Sequence, residues 1–322
     1  TTTVTGASGF DDNALTSLGM TFVNATNVAG NGTIANVAGS FDDHAGASST
    51  SGISYTGFGA VSGTGGDVTD VTGAFDVGTK TSSDSGLDYS AFGLTTLAGN
   101  GSGATITGSG ETYLLDNAVA DKGSSNSLNW TSFGNIADAT GTVNFGTGGS
   151  VTGNITAQTL NYASYATAVT FDLSNGAGAT TGIGGTWAGV TTVTGSGNSD
   201  TLTGSGQTYQ LDNTVADQGS SGALGWSSFE NINDATGTVN FGSNGNISGN
   251  VTAQTLDYSD YLHDLTLNVD TGVLSATGVG GSLSGYTTFN ANAAQNNTVI
   301  GTGQTYVLDN TVANQGSSNG YN

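Results

Sequence analysis

The chain of 322 residues contains no cysteine and no proline. Without cysteine it has no disulfide, no thiolate-bound structural zinc and no thiol catalysis. The absence of proline suits a chain whose backbone N–H groups mostly lie in β-ladders, because proline would remove a donor there. Both absences indicate a fold held together by backbone hydrogen bonds and apolar packing.

Basic residues are almost absent as well. Lys80 and Lys122 are the only Lys or Arg residues against 24 acidic ones, so the net charge is −22. Binding to nucleic acid or to an anionic membrane surface needs clusters of basic side chains, and neither is expected here. No run of 18 apolar residues occurs. His44 and His263 are isolated, and no HExxH or GxSxG motif is present, so we do not expect an enzyme.

What the chain does contain is 55 glycines, many Thr, Ser and Asn residues, and 35% hydrophobic residues. Frequent glycine and dense β-branched residues oppose helix, and no apolar stripe with helical spacing persists. The apolar residues occur in short alternating clusters, which disordered linkers lack. The composition therefore predicts a folded all-β protein.

One string of residues occurs three times. GSGQTYQLDNTVADQGSS (204–221) recurs nearly unchanged at 108–125 and at 301–318, about 96 residues apart. Residues 1–86 form a divergent N-terminal region, and residues 87–322 form the repeat region, with an incomplete last unit. The repeated positions that we expect to be structural are Tyr113, Tyr209, Tyr306, Leu115, Leu211, Leu308, Asp116, Asp212 and Asp309.

A shorter spacing lies within each repeat. The strand-like segments around Ile106, Val143, Leu202, Val239 and Val299 are separated by about 37 and then about 59 residues. Both intervals divide into steps of about 19 residues, a length typical of one coil of a parallel β-solenoid. The prediction is an all-β protein, a parallel β-solenoid (β-helix) rod with coils of about 19 residues and about five coils per repeat.

The repeated string itself reads as part of such a coil. A period of two places Tyr209 and Leu211 on the same, inward face. Asp212 and Asn213 are suited to a corner, and a strand is expected to resume at Val215. Core packing is the favoured role of the tyrosine, and stacking against a ligand is the alternative.

One segment points to calcium. GSGNSDTLTG (195–204) is similar to the calcium-binding nonapeptide of RTX proteins in Asp200, Leu202 and Gly195, although its other glycines are out of register. Asp67 and Asp70 offer further oxygen ligands. Asp67, Asp70 and Asp200 are therefore candidate Ca²⁺ ligands, with solvated solenoid corners as the alternative. No other cofactor is expected.

Two longer segments carry a family resemblance. LNYASYATAVTFDLSNGAGATTGIGGTWAGVTTVTGSGNSDTLTG (160–204) and TLDYSDYLHDLTLNVDTGVLSATGVGGSLSG (255–285) resemble the β-solenoid repeats of filamentous-haemagglutinin-like and RTX-like bacterial adhesins. The resemblance implies an exported, extracellular or cell-surface structural protein that builds a filament, a surface layer or an adhesin stalk. The alternative is a β-helical carbohydrate-binding or depolymerising module of the phage-tail or polysaccharide-lyase type.

The ends of the repeat region bear on which binding partners we expect. A solenoid leaves unpaired strand edges unless it is capped. The third copy stops before the segment that contains Trp130 and Trp226 in the earlier copies, and the chain starts at Thr1 without an initiator Met or a signal peptide. We expect end-to-end self-association or continuation in a longer chain, and a glycan or surface partner remains open.

Overall fold

The computed structural model describes residues 2–17, 20–22, 24–270, 274–309, 311–318 and 320–321, with the side chains of residues 2, 3 and 8 left out. In these residues every regular element is a strand. The first strands, in chain order, are β1 (Thr2–Asp11), β2 (Thr16–Ser17), β3 (Met20–Thr21), β4 (Ala25–Val37), β5 (Phe41–Asp42), β6 (Ala47–Ser48), β7 (Ser54–Thr56), β8 (Ala60–Gly63), β9 (Asp67–Val71), β10 (Ala74–Asp76), β11 (Thr81–Ser82), β12 (Asp88–Ala91), β13 (Thr96–Thr107), β14 (Thr112–Leu115), β15 (Lys122–Ser125), β16 (Leu128–Ala137), β17 (Thr142–Asn144) and β18 (Ile155–Thr156). The remaining strands are β19 (Thr159–Asn161), β20 (Thr170–Asp172), β21 (Trp187–Ala188), β22 (Thr192–Thr194), β23 (Thr201–Thr203), β24 (Thr208–Leu211), β25 (Gln218–Ser221), β26 (Leu224–Ser227), β27 (Asn231–Asn240), β28 (Val251–Tyr258), β29 (Thr266–Asn268), β30 (Ser275–Ala276), β31 (Leu283–Ser284), β32 (Thr288–Ala291), β33 (Thr298–Ile300), β34 (Tyr306–Leu308) and β35 (Gly316–Ser318).

The strands stack as a parallel β-solenoid of about nine turns, with coils about 30 residues apart. The prediction of an all-β, parallel solenoid is confirmed. The register shows the stacking directly, since Ile106 pairs with Ile136 and Tyr113 pairs with Val143 in parallel ladders. Each ladder residue therefore covers the apolar residue one coil below it, which is how a solenoid builds a continuous core.

The predicted coil length of about 19 residues is wrong. One step of 19 residues does occur in this ladder, from Ile136 to Ile155. The step before it, from Ile106 to Ile136, is 30 residues long, and the step after it, from Ile155 to Trp187, is 32 residues long. The spacing of 37 residues was misleading because Ile106 and Val143 lie in different ladders. With coils of about 30 residues, a repeat of about 96 residues holds about three coils, not five.

The chain forms two compact units. The first comprises Thr1–Thr159 and Gly182–Val190, and the second comprises Leu160–Thr181 and Thr191–Asn322. Each unit has its own core of Val, Ile, Leu, Phe and Tyr side chains. The boundary between residues 86 and 87 rests on the similarity of repeats and stays a prediction.

The repeated string forms an antiparallel hairpin that branches off the parallel ladders. In the first unit β14 pairs antiparallel with β15, and β15 pairs antiparallel with β16. In the second unit β24, β25 and β26 repeat this arrangement. The expected strand at Val215 is wrong, because Val215 lies in the exposed turn and the returning strand is β25. The Asp212 carboxylate accepts the N–H of Val215 at 2.8 Å and so closes the turn.

The alternation within these strands follows the period of two. Tyr113 and Leu115 are buried, and Leu114 between them is exposed. In the second unit Tyr209 and Leu211 are buried in the same way. In the third copy, Tyr306 and Leu308 are instead exposed.

Candidate functional site

Two buried tyrosine–aspartate pairs occupy equivalent positions in successive repeats. The Tyr113 hydroxyl donates to Asp138 at 3.1 Å in the first unit, and the Tyr209 hydroxyl donates to Asp234 at 3.3 Å in the second. In both pairs the aspartate lies on the next coil, 25 residues further along the chain. These contacts join adjacent coils through side chains in addition to the ladders.

Backbone groups complete the environment of each carboxylate. Asp138 accepts the N–H of Gly110 at 2.9 Å and of Glu111 at 2.8 Å. Asp234 accepts the N–H of Gly206 at 3.0 Å and of Gln207 at 2.8 Å. Burial alone would raise the pKa of Asp138, but these N–H donors and that of Thr140 outweigh it and lower the pKa below its ordinary value. Since fixed N–H donors hold both carboxylates as anions, each carboxylate stabilises the contact between two adjacent coils.

A second type of buried carboxylate occurs in the N-terminal region. Asp12 accepts hydroxyl hydrogen bonds from Ser48 at 2.7 Å, from Ser51 and from Tyr55 at 2.5 Å. Since all three donors come from another coil, this carboxylate also ties two coils together.

Asp43 repeats this arrangement one coil later. It accepts from Ser82 at 2.5 Å, from Ser85 at 2.5 Å and from Tyr89 at 2.7 Å. The donors follow the spacing Ser-x2-Ser-x3-Tyr in both cases. That spacing is visible in the sequence, and it could have identified these tyrosines as partners of the Phe-Asp-Asp segments.

The candidate calcium ligands lie in different surroundings. The Asp200 side chain is fully buried, and its Oδ1 accepts the N–H of Val169 at 2.7 Å and the hydroxyl of Ser196 at 2.8 Å. Asp67 and Asp70 both belong to β9, where they accept from Thr96 and Asn100 of the neighbouring coil. Within the described ranges no three His, Asp or Glu side chains come together in a group that could hold a metal ion. The calcium site stays a prediction.

The surroundings of the two histidines offer little chemistry. The His44 ring nitrogen lies 3.3 Å from Asp84, whose pKa is lowered first of all by a hydrogen bond from Thr72. A groove of about 260 Å³ opens beside His44, and Ser85 is among the residues that line it. The Ser85 hydroxyl donates its hydrogen bond to the Asp43 carboxylate. The groove is smaller than the about 300–1,000 Å³ typical of small-molecule sites. His263 packs edge-on against Tyr261.

The most distinctive surface belongs to the third copy of the repeated string and to β33, the strand directly before it. Val299 is 51% exposed, Tyr306 44% and Leu308 75%, whereas their counterparts Leu202, Tyr209 and Leu211 in the second copy are at most 1% exposed. We call these three residues, with the backbone of β33 and β34, the uncovered coil.

Strand pairing explains this difference in exposure. In the second copy β23 and β24 both pair with β27 of the next coil. In the third copy β33 pairs in parallel only with β29 of the previous coil, and β34 pairs only with β35, counting the ladders between described residues. Among the described residues, β33 and β34 therefore have no parallel partner at the places where β23 and β24 pair with β27.

The fold and this arrangement define the chain as a β-solenoid repeat protein. Comparison with protein families, with curated proteins and with solved structures found no match. No helix in the described residues is long and apolar enough to cross a membrane.

Proposed function

We propose that the chain is a non-enzymatic structural protein, a β-solenoid that builds an extracellular bacterial filament, surface layer or adhesin stalk. The observation that carries the proposal is the regular stacking of about nine parallel coils. The strands β23 and β24 lie beneath β27 just as β13 and β14 lie beneath β16 and β17, so equivalent apolar positions are covered in successive repeats. Extension by stacking is how solenoids build long assemblies.

Two further observations support a structural role. The buried aspartates Asp12, Asp43, Asp138 and Asp234 all accept hydrogen bonds between coils, so the conspicuous carboxylates stabilise the stack. The resemblance of residues 160–204 and 255–285 to adhesin repeats favours export to the cell surface.

Labelling of intact producing cells tests the location. An antibody against the folded chain is expected to decorate the surface of unpermeabilised cells, or material released from them, in immunogold electron microscopy. An antibody against a known cytoplasmic protein of the same cells is the control. Label that appears only after permeabilisation would contradict the proposal.

A glycan array tests the alternative. A structural solenoid is expected to show no saturable binding to any glycan on the array and no cleavage of polysaccharide. Saturable binding that a soluble saccharide competes away would favour the carbohydrate-binding module instead.

A further inference from the structure

We draw no further inference here: the strongest candidate, the row of four threonines that pair in register on the outer face of β24, β27, β28 and β32 (Thr208, Thr238, Thr255 and Thr288), is a polar sheet face, and nothing in the structure shows what covers it.

Discussion

The Tyr89 hydroxyl donates a 2.7 Å hydrogen bond to the carboxylate of Asp43, which lies 46 residues earlier in the chain. Tyr55 and Asp12 form the same contact at 2.5 Å and a separation of 43 residues. Such pairs favour one register between stacked coils, because only that register brings the hydroxyl to the carboxylate. The buried acidic side chains of this protein therefore specify the register of the solenoid.

Removing the Asp43 carboxylate is expected to destabilise the first unit strongly. Asp43→Ala leaves the hydroxyls of Ser82, Ser85 and Tyr89 without their acceptor, and we expect a loss of at least about 3 kcal/mol. Asp42→Ala is the matched control. It removes the acceptor of one hydrogen bond, from the Ala45 N–H in a turn, and should cost about 1 kcal/mol. Urea denaturation followed by circular dichroism measures both, and equal losses would show that Asp43 has no special role.

Stability is expected to fall in acid because of Asp138 and Asp234. The pKa of each is lowered in the folded state, as backbone N–H donors outweigh the effect of burial. A lowered folded pKa gives stability that is complete above the unfolded value of about 3.9 and is lost as the pH falls toward the folded value. The double variant Asp138→Asn, Asp234→Asn should be less stable at pH 7 and should lose less between pH 4 and pH 2. A variant with the same acid-induced loss as the wild type would contradict this assignment.

Alkaline pH is expected to unfold the protein through its buried tyrosines. Burial raises the pKa of Tyr55, Tyr89, Tyr113 and Tyr209, and a neighbouring aspartate raises it further. A raised folded pKa gives stability that is complete below the unfolded value of about 10 and is lost as the pH rises above it. Tyrosinate absorbance and loss of the β-sheet circular dichroism signal should therefore contain a common step above pH 10. Full ionisation of all eleven tyrosines near pH 10 in a folded protein would refute this prediction.

A glycine in each hairpin is expected to be irreplaceable. A Cβ on Gly219 would lie 2.5 Å from Cζ2 of Trp226 and 2.3 Å from the Gln210 carbonyl oxygen. Gly219→Ala should therefore cost at least about 2 kcal/mol, since backbone and a buried indole would have to move. Gly197→Ala is the control, because its Cβ would meet nothing within 4 Å. Thermal unfolding of the two variants distinguishes them, and similar melting temperatures would show that the hairpin tolerates a side chain.

The sequence predicts part of this architecture and misses the rest for physical reasons. The alternation in Thr208-Tyr209-Gln210-Leu211 predicts which side chains face inward, because a strand has a period of two. It does not predict which strand lies above Tyr209, because ladder partners depend on coil length and not on local pattern. For this reason the spacing along the chain places Ile106 and Val143 in one series, although they belong to different ladders.

Local sequence pattern also does not predict the antiparallel hairpins or the exposure of Tyr306 and Leu308. The segment at Val215 has a strand-like composition, but the Asp212 carboxylate binds its backbone N–H and closes a turn. Leu308 and Leu211 occupy the same place in nearly identical strings, yet Leu211 is buried in a strand that pairs with β27, whereas Leu308 is exposed in a strand that pairs with β35.

The proposed extracellular assembly of stacked β-solenoid coils is best tested by electron microscopy and diffraction of the purified native material. We expect filaments, layers or stalks whose diffraction contains the inter-strand spacing of about 4.8 Å along the stacking direction. Isolated compact particles without that spacing, in material that retains its native partners, would contradict it.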